Sequence, residues 1–115
     1  MNDIDSALKN IEKEYPLRRI STTYAQIEFD ILFDDYNYII IGVLFEDNKV
    51  ILTDMADYSQ LDYWQEEDLP EVEKICREYG VKFNNWNIEC LYHSNEDVKR
   101  YLDCLLAIKD RFVED

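Results

Sequence analysis

The sequence has little of what flexible, metal-binding or nucleic-acid-binding proteins use. It contains two glycines, two prolines and one histidine among its 115 residues. So few glycines and prolines exclude linkers and low-complexity segments, and one histidine excludes most histidine-dependent metal sites. Basic residues are scarce too, since 12 lysines and arginines face 26 acids and leave a formal charge of −14. Direct binding to nucleic acid, which depends on clustered lysine and arginine, is therefore disfavoured.

Long apolar segments are also missing. The chain has no run of about 18 apolar residues, so we expect no membrane span. Asp3 and Asp5 stand where a secretory signal would be apolar, and the three cysteines lack C-x-x-C spacing. These features predict a cytoplasmic protein with free thiols. The chain is 47% hydrophobic, which is enough for a core, and its length suits one domain over residues 1–115.

The periodicity of the apolar residues predicts an α+β fold. A helical repeat begins at Ile4 and ends before Pro16, and residues 24–33, 38–45 and 50–54 read as a meander of three antiparallel strands. Asp68 caps the start of a second helix, and Gly80 ends it. Residues 81–83 and 86–92 then form a short hairpin, and Ser94 starts a last helix. The order is αβββαββα, a single domain with helices packed on a mostly antiparallel sheet.

Matching the period of two in the strands to the period of 3.6 in the helices also predicts the core. The apolar positions that should face one another are Ile27, Phe29, Ile31, Ile40, Val43, Leu52, Ile75, Leu102, Leu105 and Ile108.

The negative charge is concentrated in one part of the chain. Residues 20–73 hold fourteen acids and a single base, Lys49, so they carry −13 of the −14. Aromatic residues are interleaved with these acids, and aromatic side chains beside carboxylates are good anchors for a protein partner. The sequence therefore predicts a partner-binding surface formed by Glu28, Asp30, Asp57, Tyr58, Asp62, Tyr63, Trp64, Glu66, Glu67 and Asp68. The alternative is a solvated acidic surface without a partner.

Catalytic patterns are few. The best is a magnesium-dependent nuclease arrangement of Asp34 or Asp35 with Asp47 and Lys49, but its acids fall in predicted turns and no basic groove accompanies them. Cys90 with His93 is a weaker nucleophile–base pair, because the two side chains would point to opposite faces of a strand. We expect no enzymatic activity, no metal and no cofactor.

The second half of the chain resembles a small family of bacterial and phage domains of unknown function. The resembling segments are residues 50–54 (Val-Ile-Leu-Thr-Asp), Leu61, residues 80–83 (Gly-Val-Lys-Phe) and the last helix over residues 102–112. The resemblance implies an α+β fold and a prophage or mobile-element setting. It implies no catalytic residues.

Together these observations predict a non-enzymatic inhibitor that binds a basic, nucleic-acid-binding surface of a target protein. Phage anti-CRISPR and other counter-defence proteins resemble this profile of a short, acidic chain without catalytic motifs. Two alternatives are an immunity protein against a nuclease toxin and a homodimeric structural or assembly adaptor. Neither nucleic acid nor membrane is expected as a direct partner.

Overall fold

A computed structural model describes residues 4–33, 38–54, 66–84 and 87–112. Within these ranges the chain forms three helices and six strands, and it is a single compact α+β domain, as the sequence predicts. The elements are α1 (Ile4–Glu12), β1 (Leu17–Arg19), β2 (Tyr24–Leu32), β3 (Tyr38–Glu46), β4 (Lys49–Thr53), α2 (Leu69–Glu78), β5 (Lys82–Asn84), β6 (Asn87–Leu91) and α3 (Asn95–Phe112). A short 3-10 turn, Glu66–Asp68, precedes α2.

The six strands make one antiparallel sheet in the order β1-β2-β3-β4-β6-β5. The meander and the hairpin predicted from the sequence are its centre and one edge. The strand β1 is additional, and it pairs with the first half of β2 through the register Leu17↔Ile27. Three residues, two of them arginine, give no periodic signal, so only the pairing with β2 defines this strand.

All three helices pack on one face of the sheet and form the core with it. On that face β2 contributes Ile27 and Phe29, and β4 contributes Leu52, as predicted. The helices add the predicted Ile75, Leu105 and Ile108 together with residues that the prediction omitted, among them Leu8, Ile11, Val72 and Tyr101. The opposite face of the sheet, here called the outer face, carries the side chains of alternate strand residues such as Glu28 and Ile40.

The predicted position of Ile40 in the core is wrong. Ile39, Ile41 and Val43 of β3 are fully buried on the helix-bearing face, whereas Ile40 is half-buried and lies opposite Glu28 on the outer face. Side chains alternate along a strand, so Ile40 and Val43, three residues apart, cannot share a face. Ile31 and Leu102 are half-buried and pack against the edge of the core.

Gly42 lets the ring of Tyr24 lie across β3 on the outer face. A Cβ at position 42 would stand 2.9 Å from the Tyr24 hydroxyl oxygen and 3.0 Å from the carbonyl oxygen of Thr53. Tyr24 is held there by Gln26, whose Nε2 donates to the hydroxyl at 3.1 Å. Glycine at this strand position therefore serves the close packing of a side chain and of the neighbouring strand.

Replacement of Gly42 by alanine should destabilise the protein by about 1–3 kcal/mol, the usual cost of overpacking. The tyrosine ring can turn away, but the carbonyl of Thr53 belongs to the backbone of β4 and moves only with the strand. Urea denaturation of Gly42→Ala measures the loss, and the same substitution in a Tyr24→Ala background should cost less. A single variant as stable as the wild-type protein would contradict the close packing.

The two helix boundaries predicted from the sequence, the end of α2 at Gly80 and the start of α3 at Ser94, are confirmed. Gly80 has a φ of 68° and ends α2, and the amide of Val81 donates to the carbonyl of Cys76 at 2.8 Å while that of Gly80 donates to Arg77 at 3.1 Å. This is the Schellman arrangement, in which glycine adopts the left-handed conformation without steric cost.

Asp97 holds the start of α3 and links it to the end of α2. Its Oδ2 accepts hydrogen bonds from the amides of His93 at 2.7 Å and Ser94 at 3.0 Å. Its Oδ1 accepts from Arg100, which also donates to the carbonyl of Gly80 at 3.3 Å. Partial burial acts to raise the pKa of Asp97, but these two amides and the charge of Arg100 outweigh it and lower the pKa below its usual value of 3.8.

We expect Asp97→Asn to cost about 1–3 kcal/mol at neutral pH, since hydrogen bonds to a charged acceptor are lost. A carboxyl whose pKa is lowered by folding contributes stability above its unfolded pKa and loses it as pH falls through the folded value. The difference between wild type and Asp97→Asn should thus be full at pH 7 and shrink below about pH 4. Thermal melts across this range measure it.

The control is Asp103→Asn, since Asp103 forms an exposed pair with Lys99 at 3.3 Å. An exposed pair of this kind contributes less than about 1 kcal/mol. Equal losses in the two variants would contradict a special role of Asp97.

None of the helices in the described part of the chain is both long enough and apolar enough to cross a membrane.

Candidate functional site

The predicted acids Glu28 and Asp30 lie side by side on the outer face of β2. They alternate with the buried residues Ile27 and Phe29, and both acids are exposed. Residues two apart on a strand stand about 6.5–7 Å from each other. The alternation of β2 therefore presents both carboxylates to solvent on the face opposite the core.

A bulge shapes the strand at this point. Glu28 pairs with Ile40, but the next pair is Leu32 with Tyr38, so β2 holds two more residues than β3 in this interval. An even number of extra residues preserves the alternation of faces. Asp30 and Leu32 consequently stay on the same face as Glu28, while the bulge bends the strand and changes the direction of their side chains.

Two exposed apolar side chains adjoin these acids. Leu32 is 42% exposed and Tyr38 is 54% exposed, and they lie opposite each other in the pairing of β2 with β3. We call Glu28, Asp30, Leu32 and Tyr38 the outer-face patch. Tyr38 is one of the aromatic residues interleaved with the acids in the sequence, but the predicted binding surface takes its aromatic members from residues 58–64 and does not include it. The alternation of β2 predicts that Leu32 shares a face with Glu28 and Asp30. Only the register between β2 and β3 places Tyr38 next to them.

The carboxylates of the outer-face patch have few basic neighbours. Arg18 of β1 approaches Glu28 with its Nη1 3.9 Å from Oε1, and both side chains are well exposed. An exposed pair at this distance contributes little to stability. Among the described residues, Asp30 has no ion-pair partner. Both acids are thus available to basic groups of another molecule at small cost.

A second acidic group lies at the start of α2. Glu66 and Glu67 are exposed in the 3-10 turn, and Asp68 occupies the N-cap position of the helix without a side-chain capping hydrogen bond. The sequence predicts Asp68 as the N-cap of this helix, and the structure confirms that position. Acids at a helix N-terminus are favourable because the helix dipole is positive there. These three residues therefore have a local structural role besides any role in binding.

Half of the predicted binding surface lies outside the described residues. Its members there are Asp57, Tyr58, Asp62, Tyr63 and Trp64, and their participation stays a prediction.

The features proposed for catalysis have structural roles where they are described. Asp47 and Asn48 have φ values of 53° and 60° and form the two-residue turn between β3 and β4. Both residue types are favoured in such turns because they tolerate positive φ. Their partners in the nuclease hypothesis, Asp34 and Asp35, fall outside the described residues. In the described ranges no three histidine, cysteine or acidic side chains converge as metal ligands would.

Cys90 is not arranged as a nucleophile with His93 as its base. Cys90 is buried on the core face of β6, whereas His93 is exposed beyond the end of the strand. Burial raises the pKa of the Cys90 thiol to about 12. Because only the thiolate attacks, a thiol with this pKa is a poor nucleophile near neutral pH.

No protein-family model, no curated protein and no solved structure matches the chain. The resemblance of its second half to a domain of unknown function stays a prediction.

Proposed function

We propose that this protein is a non-enzymatic inhibitor that binds a basic, nucleic-acid-binding surface of a target protein. The observation that carries the proposal is the outer-face patch, in which Glu28 and Asp30 adjoin the exposed Leu32 and Tyr38 on one bent pair of strands. Acidic and apolar groups together favour a partner whose basic side chains surround an apolar pocket.

The chemistry of the patch supports a protein partner over a small ion. Tyrosine provides a large apolar surface with a polar end and loses little conformational entropy on binding, so it is common among the residues that dominate interface energy. Carboxylates at the rim attract arginine and lysine and speed association. In this arrangement Tyr38 and Leu32 contact the partner's apolar surface. Glu28 and Asp30 attract the partner's basic groups and orient the partner during association.

The distribution of charge supports a partner that itself binds nucleic acid. Residues 20–73 carry fourteen acids against one base, and this part of the chain contains β2, β3 and β4. A surface of this sign repels phosphate and is attracted to the basic groove that phosphate would occupy. Binding there excludes the nucleic acid, which is how an acidic domain inhibits without catalysis.

The setting we propose is counter-defence by a phage or mobile element, of the kind that anti-CRISPR proteins carry out. The small acidic chain and the resemblance of its second half to phage and bacterial domains support it. Immunity against a nuclease toxin uses the same chemistry and is the alternative within this class. The neighbouring genes distinguish the two, because an immunity gene lies beside its toxin.

The test is capture of targets from a bacterial lysate with a matched pair of charge variants. Glu28→Gln/Asp30→Asn removes two charges from the patch, and Glu96→Gln/Asp110→Asn removes two exposed charges from α3. We expect the wild-type protein and the α3 variant to retain the same nucleic-acid-binding protein, and the patch variant to lose it. Added DNA should release it.

A target that all three proteins retain equally, or that DNA does not release, would contradict the proposal. Mass spectrometry of the retained proteins provides the readout.

A homodimeric adaptor is the second candidate, and a row of apolar side chains favours it. Tyr24, Leu44, Ile51 and Leu91 lie opposite one another across four strands of the outer face. Leu91 is 41% exposed. Light scattering after size-exclusion chromatography distinguishes the candidates, because an adaptor of this kind is a dimer that Leu91→Lys converts to a monomer.

A further inference from the structure

Two of the three cysteines meet between helices that are distant in sequence. The Sγ atoms of Cys76 in α2 and Cys104 in α3 are 3.9 Å apart. Both side chains are fully buried, and both cysteines are free thiols. The helical patterns predict that each thiol faces the core, but only the packing of α2 on α3 brings the two together.

We propose that Cys76 and Cys104 are a site of oxidative modification, at which an interhelical disulfide forms and fixes α2 to α3. A disulfide requires the sulfur atoms to approach to about 2.05 Å. Rotation of the two side chains and a small approach of the helices supply the difference from the present contact. Cys90 of β6 also lies buried near Cys104, but the hydrogen bond of the Cys104 thiol goes to Cys76, so we expect the disulfide to join Cys76 and Cys104 and to leave Cys90 reduced.

The chemistry needs a small oxidant, and hydrogen peroxide fits a buried pair. One thiol, as its thiolate, attacks a peroxide oxygen, the O–O bond breaks, and a sulfenic acid and one water form. The second sulfur then attacks the sulfenic sulfur, the S–O bond breaks, and a second water leaves with the disulfide. Two thiols lose two electrons and two protons in total, and the peroxide accepts both electrons and both protons as it becomes two waters.

The surroundings make this reaction slow in the closed protein. The Cys104 thiol donates a hydrogen bond to the sulfur of Cys76, and this bond and burial raise the pKa of Cys104. A scarce thiolate reacts slowly. Oxidation therefore proceeds through local opening of α2 from α3, and low concentrations of urea that favour opening without unfolding should accelerate it.

Once formed, the disulfide closes the chain between positions 28 residues apart. Closing a loop of this length removes conformational freedom from the unfolded chain, and the melting temperature should rise by roughly 10 °C. The acidic turn Glu66–Asp68 directly precedes α2. The disulfide therefore also fixes the position of the helix next to this part of the negative charge.

Trypsin makes the test direct, because it separates the three cysteines. Cys76 falls in the peptide of residues 75–77, Cys90 in residues 83–99 and Cys104 in residues 101–109. The wild-type chain is incubated with hydrogen peroxide, its remaining thiols are alkylated, and its peptides are mapped without reduction. We expect the first and third peptides linked, with a mass lower by two hydrogen atoms, and the second alkylated.

Variants separate the pair from general oxidation. After oxidation, Cys90→Ala should contain the disulfide and have the increased melting temperature. Cys104→Ala should contain no disulfide, and its melting temperature should not rise. A linked peptide that contains Cys90, or alkylation of all three thiols after oxidation in dilute urea, would overturn the proposal. Mapping of the wild-type chain alone decides this even if a variant does not fold.

Discussion

Truncation of Phe29 to alanine should cost about 3–5 kcal/mol of unfolding free energy, the usual loss for a buried phenylalanine. Phe29 is 9% exposed on the core face of β2, and its ring meets the edge of Tyr15 with centroids 5.8 Å apart. The cavity would lie between β2 and the segment that follows α1. Because this contact joins the sheet to the segment that follows α1, the loss should appear in one cooperative transition in urea.

Leu32→Ala is the matched control, since it removes an apolar side chain from the opposite face of the same strand. Exposed positions of this kind usually change stability by less than about 0.5 kcal/mol. A large loss for Leu32→Ala with a small one for Phe29→Ala would show that the two faces of β2 are assigned in reverse. It would also remove the outer-face patch as a binding surface.

The second large effect is expected in binding, once a target is available. Tyr38→Ala should increase the dissociation rate and cost about 2 kcal/mol or more of binding energy if Tyr38 is the central anchor. Glu28→Gln/Asp30→Asn should instead slow association and flatten its dependence on salt, because charges at a rim act mainly on encounter. Kinetics at two ionic strengths measure both.

The same measurement applied to Glu66→Gln/Glu67→Gln distinguishes the outer-face patch from the acidic turn before α2. If the turn variant alone slows association, the partner binds near α2 and the patch proposal is wrong. If both charge variants and Tyr38→Ala bind with the rates of the wild-type protein, the acidic surface is exposed to solvent and does not contact the partner.

The fold could be predicted where one face of an element is polar. Glu28 and Asp30 mark the outer face of β2, so the burial of Ile27 and Phe29 between them follows from alternation. The strand β3 is apolar on both faces from Ile39 to Phe45, so its sequence does not indicate which residues face the core. Only its pairing with β2 decides that Ile41 and not Ile40 lies in the core.

The candidate site divides in the same way. Alternation predicts that Glu28 and Asp30 share an exposed face, and the structure shows this. The place of Tyr38 beside them depends on the bulge in β2, which is a property of the pairing between two strands and not of either segment. The contact between Cys76 and Cys104 depends likewise on the packing of two helices, so no local pattern contains it.

The two edge strands also bear on how the protein behaves at high concentration. Open strand edges can pair with other copies and start aggregation, and short strands with basic residues oppose this. In this otherwise acidic chain β1 and β5 are three residues each and carry Arg18, Arg19 and Lys82. Carboxylates lose their charge as pH falls towards about 4, whereas arginine and lysine keep theirs. The edges therefore continue to repel one another under the conditions in which the rest of the surface becomes neutral and the protein is least soluble.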